Sequence, residues 1–174
     1  MRGQRGHGQH AIDFLRRQAQ QAAGEVEVLV AAALRVETVR LQQRADLARM
    51  QRLMEALANP HNLICCVHVA GSKGKGSVCE MTASCLEACG YTVGVYTSPH
   101  LVDLRERIRI NRDMISRDQF AGLIRRVHAA SAALPADLGS ASLFEVLTAA
   151  AFVYFAEMAV DIALIEVGMG GRLD

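Results

Sequence analysis

The feature that most constrains the fold of this 174-residue chain is a glycine-rich loop between a short apolar segment and a helix. Residues 63–69 (LICCVHV) are apolar and contain β-branched side chains, which predicts a strand buried on both faces. Residues 71–77 (GSKGKGS) follow directly, and the helical pattern after them ends at Gly90. Glycines let backbone N–H groups turn toward a phosphate, and a helix N-terminus adds positive charge. The arrangement therefore predicts a phosphate-binding turn.

The lysines of the chain point to the same loop. Of its 19 basic residues only Lys73 and Lys75 are lysines, and both lie there. Lysine carries a compact ammonium on a flexible stem, whereas arginine carries a broad guanidinium fork. Because lysine occurs only in this loop, the sequence suggests that the loop needs a point charge. Lys75 would reach the β- and γ-phosphates of a nucleotide, and Ser77 would offer its hydroxyl to Mg²⁺. The general pattern G-x-x-x-x-G-K-[ST] is not met, so chance clustering and a tight turn with a solvated lysine remain alternatives.

Two later strand ends carry further oxygen ligands. Residues 91–97 and 161–167 predict strands, and a second glycine loop at 168–171 follows the latter. Glu166 is placed to hold Mg²⁺ directly or through water, with an ordinary strand-end carboxylate as the alternative. Ser98, in the segment TSPHL at 97–101, offers another hard oxygen. His100 is interpreted as a surface or capping residue, with a catalytic role as the alternative.

Strands alternating with helices predict an α/β fold with a parallel, three-layer sheet. Helices are expected at 46–58, after a capping box at Ser116–Gln119, and at 143–158, with a short strand at 107–111. Ligands of such sheets bind at the carboxyl ends of the strands, which is where both glycine loops lie. We expect residues 1–10 to form a disordered tail and residues 11–44 a helical segment.

Composition excludes several classes of protein. The net charge of +1 gives no electrostatic case for binding nucleic acid or a membrane surface. Acidic residues interrupt the longest apolar stretch, 141–167, so it does not predict a membrane span. The five cysteines form no CxxC pair and indicate small buried side chains in a reducing cytoplasm. Two of them, Cys85 and Cys89, are predicted to share the buried face of their helix with Val78, Met81 and Leu86.

Together these segments resemble the folylpolyglutamate synthase/dihydrofolate synthase family of Mur-type ligases. The similarity follows the chain in order, through 68–77, 94–101, 106–108, 144–152 and 161–174. It implies a Mur-ligase-type ATP-binding domain at 45–174 that is incomplete at its end, preceded by a divergent segment at 11–44. A C-terminal glutamate-ligase domain is expected to be absent from the chain.

The resemblance implies ATP-dependent addition of glutamate to folate or dihydropteroate through an acyl phosphate. It implies ATP and Mg²⁺ as cofactors and a monomer at full length, without nucleic acid or membrane partners. The implied ATP-binding residues are Gly71, Ser72, Lys73, Gly74, Lys75, Gly76 and Ser77. Lys75 and Glu166 would be catalytic, and Ser77, Ser98 and Glu166 would hold the metal. The implied pteroate-side residues are Ser142, Leu143, Phe144, Glu145, Leu173 and Asp174.

The chain departs from the family pattern in three places. Ser72 and Lys73 replace Thr and Asn in the usual GTNGKG[ST] loop, and the added charge of Lys73 would either strengthen phosphate binding or face solvent. Residues 11–44 match poorly, which leaves the substrate open. The chain ends at Asp174, inside a motif, so we do not expect ligase activity from it alone. A generic P-loop ATPase or kinase, another Mur-type ligase, and a non-catalytic nucleotide-binding remnant remain the alternatives.

Overall fold

The computed structural model describes residues 47–168, which form a five-stranded sheet flanked by four helices. The helices are α1 (Leu47–Ala56), α2 (Lys75–Ala88), α3 (Arg117–Ala132) and α4 (Leu143–Glu157). The strands are β1 (Cys66–Val69), β2 (Val93–Tyr96), β3 (Ile108–Ile110), β4 (Asp113–Met114) and β5 (Ile162–Glu166). The predictions for the tail, the 11–44 segment, most of the second glycine loop, Leu173 and Asp174 lie outside the described residues.

The sheet order is β1-β5-β2-β3-β4. The first three strands are parallel, as predicted, and β5 lies between β1 and β2 with Val69 opposite Glu166. β3 runs antiparallel to β2, and β4 antiparallel to β3. The expectation of an entirely parallel sheet was therefore wrong for these two strands. Only Asn111 and Arg112 link β3 to β4, and so short a connection can join only antiparallel neighbours.

The two faces of the sheet bury separate apolar clusters, which confirms the three-layer prediction. On one face, α2 packs Cys79 and Ala83 against Val93, Val95 and Leu164. On the other, α1, α3 and α4 cover the alternate strand positions, among them Tyr96, Ala163 and Ile165. The inward positions predicted for α3 are buried as expected: Phe120, Leu123, Ile124 and Val127.

The helix ends follow the local signals. Asn59 takes a positive φ of 51° and Pro60 begins a 3-10 turn, so α1 ends before them as predicted. Gly90, at φ +90°, follows the end of α2. Ser116 and Ser142 both cap their helices with reciprocal hydrogen bonds to Gln119 and Glu145. Within residues 47–168, no helix combines the length and apolarity needed to cross a membrane.

The predicted buried face of α2 was wrong except at Leu86, which packs against the cluster on the sheet. Val78 and Met81 are 44% and 62% exposed, and Cys85 is exposed as well. The sheet-facing side carries the small residues Cys79 and Ala83 instead. Both sets of residues have helical spacing, and the small side chains allow the helix axis to lie close to the sheet.

The prediction that β1 is buried on both faces was also wrong. Within the described part of the chain, β1 pairs on one side only, with β5, and Cys66 to His68 are exposed. Cys65, Cys66, Cys85 and Cys89 are exposed and Cys79 alone is buried, so the expectation of buried cysteines holds for one of the five. All five are free thiols.

Candidate functional site

The glycine loop connects β1 to α2 at the carboxyl end of the parallel strands. Gly74 occupies the N-cap of α2 at φ +75°, a conformation that side chains with a Cβ rarely adopt. Because it has no side chain to cap the helix, the first-turn N–H groups of α2 are left to face a ligand. Ser72, Lys73 and Ser77 are exposed around this turn. The loop thus has the backbone form that the sequence predicts.

Lys75 and Glu166 meet across this edge of the sheet. The Lys75 ammonium lies 3.9 Å from Oε1 of Glu166 and donates a hydrogen bond to the Gly71 carbonyl at 3.2 Å. The Ser98 backbone N–H donates to Oε2 of Glu166 at 2.9 Å. Lys75 and the Ser98 backbone N–H, from two separate segments, therefore both contact the carboxylate of Glu166.

The carboxylate of Glu166 is unusually enclosed for a charged group. The residue is 6% exposed, and a buried carboxylate requires compensating donors or cations. A Cβ added to Gly76 would lie 4.0 Å from Oε2 of Glu166, so the start of α2 runs close beside it.

Burial, with the added charge of Glu166, raises the pKa of Cys79 to about 11. The Cys79 thiol is therefore protonated at neutral pH and is not a nucleophile of this site.

The segment after Ser98 is held by hydrogen bonds. Glu106 accepts from the backbone N–H groups of Leu101, Val102 and Asp103 at 2.7, 3.0 and 2.8 Å. These bonds hold the pKa of Glu106 below its usual range. Nδ1 of His100 accepts from Nε of Arg107 at 3.1 Å, which agrees with a structural histidine.

A cavity of about 600 Å³ opens on the face of the sheet opposite α2. Its walls come from α1, the turn at Pro60–Leu63, the start of α4 and the strands. Phe144 and Phe152, both partly exposed, supply aromatic surface, and Glu166 and the fully buried Tyr96 also belong to the lining. The cavity therefore reaches the same carboxylate that Lys75 approaches from the loop.

The segment Ser142–Glu145 forms the N-terminus of α4 beside this cavity. Phe144 is its member in the cavity wall, and its ring would lie 2.7 Å from a Cβ placed on Gly168. Leu143 is buried and Ser142 is the helix cap. The carboxylate of Glu145 is turned to Arg49 of α1, with 3.0 Å from Nε to each oxygen. The predicted pteroate-side residues 142–145 thus lie together, whereas Leu173 and Asp174 are outside the described residues.

Two features that shape the site were given no role from the sequence: the capping box of Asp103 and Glu106, and Arg49. Asp103-x-x-Glu106 has capping-box spacing, which is a visible signal, and the structure shows both bonds of that box. Arg49 carries no such signal, because its partner lies on another helix. Residues 47–168 contain no group of three His, Cys, Asp or Glu side chains able to hold a metal ion.

Comparison with known proteins places these features in a family, although no family model matches the chain. A dihydrofolate synthase/folylpolyglutamate synthase of Bacillus subtilis is 42% identical over 75% of this chain and 31% of its own. The structure of folylpolyglutamate synthase from Thermotoga maritima has a TM-score of 0.74 at 40% identity, over 85% of this chain and 35% of its own.

A folylpolyglutamate synthase solved with AMPPCP and folate has a TM-score of 0.72 at 39% identity, over 78% of this chain and 33% of its own. The chain thus spans about a third of the length of the relatives that it matches. By sequence and by fold, it belongs with the N-terminal part of the folylpolyglutamate synthase/dihydrofolate synthase family.

Proposed function

We propose that this chain is the nucleotide-binding part of an ATP-dependent ligase that adds glutamate to folate or dihydropteroate. The reaction belongs to the whole protein, since the chain spans about a third of its relatives. The observation that carries the proposal is the contact of Lys75 with Glu166 at the mouth of the glycine loop. A cation and a carboxylate at this edge can serve phosphoryl transfer, in which positioning and charge neutralisation are the main requirements.

In this proposal residues 71–77 hold the phosphates of ATP. The loop N–H groups and the N-terminus of α2 would receive the phosphate oxygens. Lys75 would exchange its bond to the Gly71 carbonyl for the transferring phosphoryl group, because the ammonium is on a flexible stem and is partly exposed. Similarity to a synthase solved with AMPPCP supports the nucleotide.

The residues also fit Mg²⁺, which prefers oxygen ligands and keeps part of its water shell. Glu166 offers a carboxylate, and Ser77 and Ser98 offer hydroxyls from the two adjoining segments. A bound Mg²⁺ would neutralise charge on the phosphates. Glu166 also accepts the Ser98 N–H, and this bond holds the segment after β2 next to the loop.

We assign the folate or dihydropteroate to the cavity beside α4. Phe144 and Phe152 give it surface for a planar heteroaromatic ring. Because Glu166 lines the same cavity, the carboxylate of a bound substrate could face the phosphate loop, where an acyl phosphate would form. Ser142 and Leu143 support this wall, and we propose Leu173 and Asp174 as further contributors to it.

We place the domain boundary near residue 45 and propose a cytoplasmic monomer for the full-length protein. Five unpaired cysteines, four of them exposed, are in keeping with a reducing compartment.

The proposal is tested in two steps. The 174-residue chain is titrated calorimetrically with AMPPCP with and without Mg²⁺, and we expect binding that Mg²⁺ strengthens. The full-length protein is assayed for glutamate-dependent ADP release with tetrahydrofolate, dihydropteroate and a UDP-muramoyl peptide. Activity with the first two supports the proposal, and activity with the muramoyl peptide alone would assign the protein to another branch of Mur ligases.

A further inference from the structure

Arg49 and Glu145 form a buried ion pair between α1 and α4. The two residues are 4% and 6% exposed, and Nε of Arg49 is equidistant from both carboxylate oxygens at 3.0 Å. Exposed ion pairs occur elsewhere on the surface, but this one is enclosed by the core. Burying two charges costs desolvation free energy that offsets most of their attraction, so the pair is weak evidence of a gain in stability.

Both partners make a second, directed hydrogen bond. Nη1 of Arg49 donates to the Leu138 carbonyl at 2.9 Å, in the loop that precedes α4. Oε2 of Glu145 accepts from the Ser142 N–H at 2.7 Å, which closes the helix cap. Arg49 therefore fixes the loop and the first turn of α4 together, at a defined distance from α1.

The two elements joined by this pair are opposite walls of the cavity. Leu47 and Met50 flank Arg49 on α1 and line one wall. Phe144 precedes Glu145 on α4 and lines the other, with its ring against Gly168, two residues after Glu166. A shift of the first turn of α4 would therefore move Phe144. That movement would change both the aromatic wall of the cavity and the packing of the ring against Gly168, just after β5.

Apolar packing alone would hold α1 to the core. Leu53 and Met54 are 0% and 4% exposed and belong to the large cluster. Replacing a buried ion pair by apolar residues of similar volume is often neutral or stabilising, so stability does not require these charges. Their hydrogen bonds, unlike apolar contacts, fix direction and distance.

We propose that Arg49 is a positioning residue that acts through Glu145 to set Phe144 in the cavity wall, and thereby sets the affinity for the heteroaromatic substrate. The role of Glu145 is then to position this wall, since its carboxylate is engaged by Arg49 and Ser142. This inference rests on the proposed function, because it takes the cavity as the site of folate or dihydropteroate.

The test compares three variants of the 174-residue chain: Arg49→Met, Glu145→Gln, and the double variant Arg49→Met/Glu145→Leu. Each is titrated calorimetrically with dihydropteroate, tetrahydrofolate and AMPPCP, and its thermal midpoint is measured. Arg52→Met is the matched control, because Arg52 lies on the same helix with an exposed partner, Glu55. The control should bind all three ligands like the wild type.

We expect either single variant to lower the thermal midpoint and to raise the Kd for the pterin ligands about tenfold or more, which corresponds to about 1.4 kcal/mol. The double variant should recover part of the lost midpoint, because neither charge is left unpaired although the bonds to Leu138 and Ser142 are gone. Its pterin Kd should stay raised, with the Kd for AMPPCP within about twofold of wild type. Recovery of both midpoint and pterin affinity would show a purely structural pair and overturn the inference. A parallel loss of AMPPCP affinity would overturn it as well.

If the apolar variants do not fold, Arg49→Lys tests the proposed role of Arg49 instead, because it keeps the charge but loses the guanidinium fork that reaches both Glu145 and Leu138. A raised pterin Kd is then expected, and an unchanged one contradicts the role of Arg49. Failure of the wild-type chain to bind either pterin, with AMPPCP still bound, would instead overturn the assignment of the cavity, and the inference with it.

Discussion

The Lys75 ammonium lies 3.9 Å from Oε1 of Glu166, although one residue opens α2 and the other ends β5. The parallel pairing of β1 with β5 creates this contact, because it sets Val69, at the start of the loop, opposite Glu166. The distance allows attraction without a close hydrogen bond, which leaves the ammonium available for a more negative partner. A polyphosphate at the loop would be such a partner.

Lys75→Ala should remove the charge that receives the phosphates. We expect AMPPCP affinity of the chain to fall about tenfold or more, as is typical when a charge-assisted bond is lost, and ATP turnover of the full-length protein to be abolished. Calorimetry on the chain and ADP release by the full-length protein measure the two effects. Arg126→Ala removes an equal charge from an exposed pair on α3 and should change neither. Unchanged turnover in Lys75→Ala would contradict the phosphate-loop assignment.

Glu166→Gln separates the charge of this residue from its hydrogen bond. An amide oxygen can still accept the Ser98 N–H, so the fold should persist. A neutral amide is a poorer ligand for Mg²⁺, so we expect the strengthening of AMPPCP binding by Mg²⁺ to disappear. Titrations at zero and saturating Mg²⁺ measure this difference, with Glu157→Gln as the exposed control. If Mg²⁺ strengthens binding equally in both variants, Glu166 is not a ligand.

The part of the fold that local patterns determine could be predicted from the sequence. Helix ends at Asn59–Pro60 and Gly90 and the cap at Ser116 depend on near neighbours, and the structure has them as expected. The buried side of α2 was predicted correctly only at Leu86, because Val78-Met81-Cys85 and Cys79-Ala83-Leu86 both have helical spacing. Only the sheet against which the helix packs distinguishes them.

In the site, too, local patterns predict some features, while contacts between distant segments determine the rest. Strand-end positions predicted that Lys75, Ser98 and Glu166 would share one edge, and they do. The pairing of Arg49 with Glu145 joins two helices distant in sequence, so no local pattern indicates it. The exposure of β1 likewise depends on its place in the strand order, which its apolar sequence does not encode.

Thiol reactivity should distinguish Cys79 from the other cysteines. At pH 8 we expect Ellman's reagent to titrate Cys65, Cys66, Cys85 and Cys89 in the native chain, because all four are exposed. Cys79 should react only after unfolding, since it is buried and its pKa is raised to about 11. Cys79→Ala should give the same native count and lose one thiol in denaturant. Rapid reaction of all five thiols in the native chain would contradict the packing of α2.

Stability should depend on Glu106 in a pH window that its lowered pKa defines. A carboxylate whose folded pKa lies below its unfolded value stabilises the native state above the unfolded pKa. That contribution is lost as the pH falls from the unfolded value through the folded one. Wild type should therefore exceed Glu106→Gln in free energy of unfolding at pH 7, and the two should converge in acid. Urea unfolding across this range measures the difference, and a gap that persists unchanged in acid would contradict this role of Glu106.

The packing of α4 on the sheet can be tested by comparing alanine substitutions at two glycines, Gly94 and Gly122. A Cβ on Gly94, in β2, would lie 2.8 Å from the ring of Phe155, which is fully buried. Gly94→Ala should therefore lower the free energy of unfolding by about 1–3 kcal/mol, the usual cost of overpacking a core. Gly122→Ala, in α3 with no atom within 4 Å of the added Cβ, should raise it by about 0.5–1 kcal/mol.

A second substitution shows whether this cost arises from the ring. Phe155→Leu should lower the free energy of unfolding less in the Gly94→Ala background than in the wild type. In the wild type the smaller side chain leaves a cavity, whereas in the Gly94→Ala background it also relieves the close contact. Urea unfolding of the four proteins gives the coupling energy of the cycle. Additive effects would mean that Gly94 and Phe155 do not touch. That result would contradict the placement of α4 over β2, and with it the position of the aromatic wall that α4 gives to the cavity.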